Sequence, residues 1–211
     1  MRLLIATHNR GKLIEYQELL AGLPLALATL DDVGIREDVE ETGTTFAGNA
    51  RLKALVHARS SGLLTLADDS GLEVDALGGE PGIYSRRYAG EGASDDQRNN
   101  FLLYKIKDVP AEARRARFRC AIAIASPDGE TWETEGTVDG ELLFAPRGTN
   151  GFGYDPIFFF PKLGLTMAEL APAEKNKISH RARAAEGARE ILEKIILPRE
   201  RKPTDNTGDE A

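Results

Sequence analysis

Short apolar runs and helical stripes take turns along this chain, separated by polar, glycine-bearing loops, and that alternation restricts it to folds that mix helix with sheet. Residues 3–6 read as a buried strand. The polar loop Thr7-His8-Asn9-Arg10-Gly11-Lys12 leads from it into a helix with Leu13, Tyr16 and Leu20 on one side, ending at Gly22. Residues 25–29 form a second short strand, and the acidic stretch 31–45 reads as loop. Phe46–Ser61 is expected to be helical, because Phe46, Ala50, Ala54 and Ala58 recur every four residues and Gly62 stops the run. Residues 63–67 are a third strand that runs into Asp68-Asp69-Ser70-Gly71.

Beyond a glycine-rich loop at 78–92, Ser94 and Gln97 form a capping box that opens a helix through Ile106. Strands at 117–126 and 131–138 flank the turn Pro127-Asp128-Gly129 as a hairpin, which argues against a purely parallel sheet. A second glycine-rich loop, 148–156, precedes an apolar strand at 157–160. Ser179 caps a last helix whose stripe is Ala182, Ala185, Ala188, Leu192 and Ile195. The expectation is a single mixed α/β domain over residues 1–197. The tail at 198–211 has almost nothing to bury and is expected to be disordered.

A length of 211 residues suits one domain with its own core. The net charge of −7 excludes a uniformly basic nucleic-acid binder, since neutralising phosphates takes a positive surface. It leaves room for a small anionic substrate held by a few converging Lys and Arg. Cys120 is the single cysteine, so no intramolecular disulfide forms, and its apolar neighbours make it a core residue. One Cys with the scattered His8, His57 and His180 is too few ligands for zinc, and His57 reads as a surface or boundary residue. With no signal-peptide pattern and no apolar stretch of transmembrane length, a cytoplasmic address and no membrane partner are expected.

Five places could carry chemistry. The 7–12 loop opens a helix, whose first-turn N–H groups and dipole suit a phosphate, with Lys12 adding charge. It matches a Walker loop only in part, because the first glycine is missing and Leu13 stands where Ser or Thr would hold a metal. Asp68-Asp69 follow an apolar strand. Alternate residues of extended backbone point opposite ways, so the two carboxylates take different roles. One of the acidic residues Glu37, Asp38, Glu40 and Glu41 could join them around Mg²⁺, which favours one or two carboxylates completed by water and phosphate. Phe152-Gly153-Tyr154-Asp155 either offers a ring for a base to stack on or plugs the core. In the run Glu174-Lys175 through Arg181, His180 and Arg181 place positive groups in the first turn after the Ser179 cap, against the dipole preference, and a bound anion or base carbonyl would offset that cost. Arg115, Arg117 and Arg119 alternate on one solvated strand face, and Trp132 reads as packing.

Six segments, in order, resemble the inosine triphosphate pyrophosphatase family, the XTP/dITP diphosphatases. They are Ala6 to Lys12, Glu41-Thr42-Gly43 with Phe46 and Asn49-Ala50, Ala67 to Leu72, Leu77-Gly78-Gly79 with Pro81 to Ser85, Gly151 to Pro156, and Glu174-Lys175 through Arg181. The resemblance implies a long twisted central sheet with flanking helices and two lobes around a nucleotide-binding groove, usually in a homodimer. It implies Mg²⁺-dependent cleavage between the α- and β-phosphates of ITP, dITP and XTP. Thr7, His8, Asn9, Arg10, Gly11, Lys12 and Lys53 would contact the triphosphate. Glu41 and Asp69 would hold the metal, with Asp69 also accepting the proton of the attacking water. Ser70, Phe152, Gly153, Tyr154, Asp155, Lys175, His180 and Arg181 would make the remaining nucleotide contacts. Two positions depart from the pattern. Gly48 replaces a common Glu, which removes a carboxylate near the metal region, and Arg86 adds a candidate phosphate contact. The competing readings are a pyrophosphatase for other modified nucleotides and a non-catalytic nucleotide sensor.

Overall fold

The computed structural model describes residues 1–196, and the tail that the sequence marks as disordered lies outside them. Seven strands form one twisted sheet in the order β2-β1-β3-β4-β5-β6-β7. They are β1 (Arg2–Ile5), β2 (Ala26–Thr29), β3 (Leu64–Val74), β4 (Arg115–Ala125), β5 (Thr131–Leu142), β6 (Phe158–Phe160) and β7 (Leu165–Thr166). β1 runs parallel to both β2 and β3, and every later neighbour is antiparallel. The parallel edge needs crossovers, supplied by α1 (Arg10–Leu19) and α2 (Phe46–Ser61). The remaining helices are α3 (Asp95–Lys105), α4 (Pro172–Ile178) and α5 (His180–Ile196).

Local rules explain the helix boundaries. Thr45 caps α2 through the Gly48 N–H. Ser94 and Gln97 close the capping box of α3 in both directions. The Ser179 hydroxyl accepts from the Ala182 N–H at 3.1 Å and opens α5, as its sequence suggests.

One expectation fails. Asp68-Asp69-Ser70-Gly71 do not end a strand; they lie in the middle of β3, opposite Ile122, Ala121, Cys120 and Arg119 of β4. The ladder is made by backbone groups, so polar side chains do not stop it once each finds a partner above or below the sheet. His57 also departs from its reading. It is buried, and its residual exposure of 4% places it inside the domain.

The pleat decides what each face buries. In β4, Cys120, Ile122 and Ile124 pack with Leu3, Leu66, Tyr16 and the α5 stripe Ala184, Ala185, Ala188 and Leu192. Ala121, Ala123 and Ala125 face Ala50, Ala54 and Ala58 of α2. Alanine meeting alanine lets α2 lie close to the sheet. A third cluster, with Leu72, Val74, Leu102, Phe118, Phe158 and Met167, fills the lobe around α3 and β6. A cleft opens between that lobe and the α1–α2 side. Arg114 joins β4 to α3: its buried guanidinium donates to the carbonyls of Val109, Ile106 and Leu143 and lies over the Phe144 ring.

Candidate active site

The cleft encloses about 780 Å³, within the range of small-molecule sites. Every residue singled out from the sequence for substrate or metal lines it: Thr7 to Lys12, Glu41, Lys53, Asp69, Ser70, Phe152 to Asp155, Lys175, His180 and Arg181.

At one end lies the start of α1. The Asn9 side chain caps the helix by accepting from the Lys12 N–H at 3.1 Å, and Thr7 Oγ1 accepts from the Asn9 N–H. The N–H groups of Arg10 and Gly11 then have no carbonyl inside the helix to bond. Gly11 is there for closeness: a Cβ would lie 2.5 Å from the Phe152 ring, which packs against it. The phosphate-type loop and the aromatic of the second glycine-rich loop are therefore in contact.

The two adjacent carboxylates divide as the pleat requires. Asp69 faces α2, where Asn49 Nδ2 donates to its Oδ2 at 3.0 Å and Lys53 Nζ sits 3.6 Å from its Oδ1. The same ammonium is 2.8 Å from Glu41 Oε1. Burial, reinforced by Glu41, pushes the Asp69 carboxyl above the usual Asp value despite Lys53. Glu41 is held below its usual value, because Lys53 outweighs its burial.

Asp68 faces the other way, toward α1 and α5. Its Oδ2 is 2.9 Å from Lys12 Nζ and 3.2 Å from Arg181 Nη2, and it takes the weak donor Cys120 Sγ at 3.7 Å. Burial opposes its charge, but Lys12 and Arg181 hold it ionised far below the usual range. Sequence reasoning left Asp68 without a role and missed Glu15 altogether. Glu15 joins Arg181 Nη1 at 2.6 Å to Lys175 Nζ at 2.8 Å, and Lys175 reaches Asp155 at 2.6 Å. Arg181, in the first turn of α5, is thus balanced by the buried carboxylates of Asp68 and Glu15, which resolves its conflict with the dipole, and Lys175 belongs to α4. The signal for Glu15 was faint: a carboxylate next to Tyr16 whose helical neighbours include the polar Lys12 and Glu18.

These pairs leave little donor capacity. Arg181 uses four of its N–H bonds on Asp68, Glu15 and Ser70, and Lys175 uses two of three on Asp155 and Glu15. His180 stacks on Phe118, 4.7 Å between centroids and 11° from parallel, and its buried Nδ1 has no protein partner. Burial, then Arg181 and Lys175, drives the imidazole well below its usual value, so it is neutral. Phe152 completes this end, with Lys175 Nζ 4.6 Å and the Arg181 guanidinium 5.6 Å from its ring centre.

Arg87, Asp95 and Arg98 line the cavity without having been singled out from the sequence, and the buried His57 lines it too. Arg86 lies at the rim, highly exposed and 3.8 Å from Asp38. No helix among the described residues is long and apolar enough to cross a membrane.

Known proteins resemble the chain over most of its length. The chain is 53% identical over 183 residues to a dITP/XTP pyrophosphatase of Geobacter sulfurreducens, covering 87% of this chain and 92% of that protein. It is 47% identical to the dITP/XTP pyrophosphatase of Bacillus subtilis, covering 90% and 96%. A HAM1 protein from Coxiella burnetii superimposes with a TM-score of 0.83 at 42% identity, covering 91% of this chain and 98% of that one. The Staphylococcus aureus Ham1 protein gives 0.82 at 44%, covering 92% and 98%. A model of the Ham1 family matches residues 3–191, and with relatives this similar over nearly the whole fold, the chain belongs to the Ham1 family.

Proposed function

We propose that this protein hydrolyses the non-standard purine nucleoside triphosphates dITP, XTP and ITP to the monophosphate and pyrophosphate, using Mg²⁺, as a cytoplasmic homodimer. The observation that carries this reading is one cavity with two chemically distinct ends. One end has a helix start, Lys12, Lys53 and a carboxylate pair. The other has an aromatic ring and a few unspent donors. A triphosphate and a base need those two environments.

The carboxylate pair suits a divalent cation. Glu41 and Asp69 are both within 3.6 Å of the Lys53 ammonium, so a positive charge already sits between them. Mg²⁺ takes one or two carboxylates and completes its shell with water and substrate phosphate oxygens, so Glu41 and Asp69 are enough protein ligands for it. Bound there, Mg²⁺ would neutralise phosphate charge and make a bound water more acidic.

The chain's own part is mostly placement and charge. Lys12, Lys53 and the first N–H groups of α1 hold the phosphates. Asp69, with its raised pKa, takes the proton from the water that attacks the α-phosphorus. The bond from that phosphorus to the α,β-bridging oxygen breaks, and pyrophosphate leaves with the electron pair. At the base end, the spare N–H bonds of Lys175 and Arg181, with His180, favour the 6-keto acceptor of hypoxanthine or xanthine over the 6-amino donor of adenine. Unpaired buried donors penalise adenine by orders of magnitude.

Incubation with dITP and MgCl₂ followed by phosphorus NMR tests the reaction. Pyrophosphate and dIMP are expected, with no release in EDTA and recovery on adding Mg²⁺. Orthophosphate as the first product would overturn the cleavage position, and equal kcat/KM for dITP and dATP would overturn the base selection.

A further inference from the structure

We propose that Asp95 and Asn99 of α3 are positioning residues that set the aromatic plate of the base pocket by gripping both backbone polar groups of Gly153. The inference rests on the nucleotide-binding reading of the cleft. Asp95 and Asn99 stand one helical turn apart, so they share a face of α3. The Asp95 carboxylate Oδ2 accepts from the Gly153 N–H at 2.7 Å. Asn99 Nδ2 donates to the Gly153 carbonyl at 3.0 Å.

The chemistry of the pair is matched and directional. An acceptor meets the N–H and a donor meets the C=O. Asn99 is 2% exposed, and its Oδ1 has no protein partner, so turning the amide over would set two oxygens against each other. Gly153 has φ +64°, a conformation that L side chains rarely take, and it follows Phe152 directly. Fixing its peptide groups therefore fixes where the Phe152 ring stands. The other side of the loop is tied separately, by the Tyr154 hydroxyl donating to the Ser85 carbonyl at 2.9 Å and by Asp155 accepting from the Phe152 N–H at 2.9 Å.

Rigidity comes from the helix itself. The capping box fixes the first turn of α3, and Arg98 binds Asp95 and the carbonyl of Arg86. Neither Asp95 nor Asn99 takes part in the ion pairs at the phosphate end. Their removal should weaken base binding and spare phosphate binding.

Equilibrium titration of the full chain with dIMP and with inorganic pyrophosphate separates the two ends without turnover. Asn99→Asp sets a carboxylate against the Gly153 carbonyl and should weaken dIMP binding about tenfold, with pyrophosphate affinity changed by less than about twofold. Asn100→Asp makes the same chemical change at the next, exposed position and should leave both affinities alone. Asp95→Ala, at a partly exposed site, should show the same split at about threefold and decides the matter if Asn99→Asp does not fold. Unchanged dIMP affinity in a folded variant, or equal loss for both ligands, would overturn the inference. Wild-type protein that binds dIMP but does not cleave dITP would sink the proposed reaction and leave this test standing.

Discussion

Replacing Asp68 with Asn tests whether the buried ion network holds the two ends of the cleft together. Its carboxylate is 1% exposed and lies 2.9 Å from Lys12 and 3.2 Å from Arg181. At an effective dielectric constant of about 20, each attraction is roughly 5 kcal/mol. Stripping water from the carboxylate costs several kcal/mol of that, and removing one member of a buried pair destabilises by about 3–5 kcal/mol. Asn keeps an acceptor for one donor, and Arg181 keeps Glu15. The expected loss is therefore at the lower end, about 3 kcal/mol, or roughly 6–12 °C in Tm for a domain of this size.

Urea unfolding at pH 7, read with an unchanged m value, measures this loss. The pH dependence gives a second check. The folded pKa of Asp68 is depressed, so its contribution is complete above the ordinary Asp value of about 4 and fades as pH falls below that. The gap between wild type and variant should stay constant from pH 8 to about pH 4 and then narrow. A gap under about 1 kcal/mol at pH 7, or one that closes between pH 7 and 5, would refute the argument.

Asp69→Asn should lower kcat by about 10²–10⁴ and leave nucleotide affinity nearly intact, as titration with the substrate analogue would report; near-wild-type turnover removes Asp69 from the reaction. In the protein stripped of divalent cations, the Asp69 carboxyl should titrate above the usual Asp range, as carbon-13 NMR of the carboxyl groups against pH would report, and a value at or below that range would refute the argument from burial. Arg114→Met strips donors from three carbonyls, and chemical denaturation should register a loss of at least about 3 kcal/mol, while kcat/KM for dITP stays unchanged.

What could be read from the sequence was local. The bounds of α2 followed from its alanine spacing and Gly62, and the start of α5 from Ser179, because capping and periodicity act within a few residues. The opposed roles of Asp68 and Asp69 were also legible, since extended backbone alone dictates them. The continuation of β3 past Asp68 was not, because its partner β4 lies some fifty residues away in the chain. His57 was legible but misread: it stands three residues after Ala54 and seven after Ala50, on the buried side of α2 that the alanine stripe marks. Glu15, Asp95 and Asn99 escaped because each acts on groups that only the tertiary fold brings near.

The pleat of β3 links these observations into one account of the cleft. Asp68 and Ser70 point to the α1–α5 face and fix Lys12 and Arg181; Asp69, between them, points to α2 and meets Asn49 and Lys53. One strand thereby separates cations that must stay in place from the carboxylate proposed to accept a proton. Two ion pairs, with Lys12 and Arg181, keep Asp68 ionised, whereas burial beside Glu41 raises Asp69. A one-residue slip of β3 against β4 would exchange the two faces and place Asp69 beside Lys12 and Arg181. The ten-residue antiparallel register from Thr65 to Val74, continuing on both sides of the polar segment, is what prevents that slip.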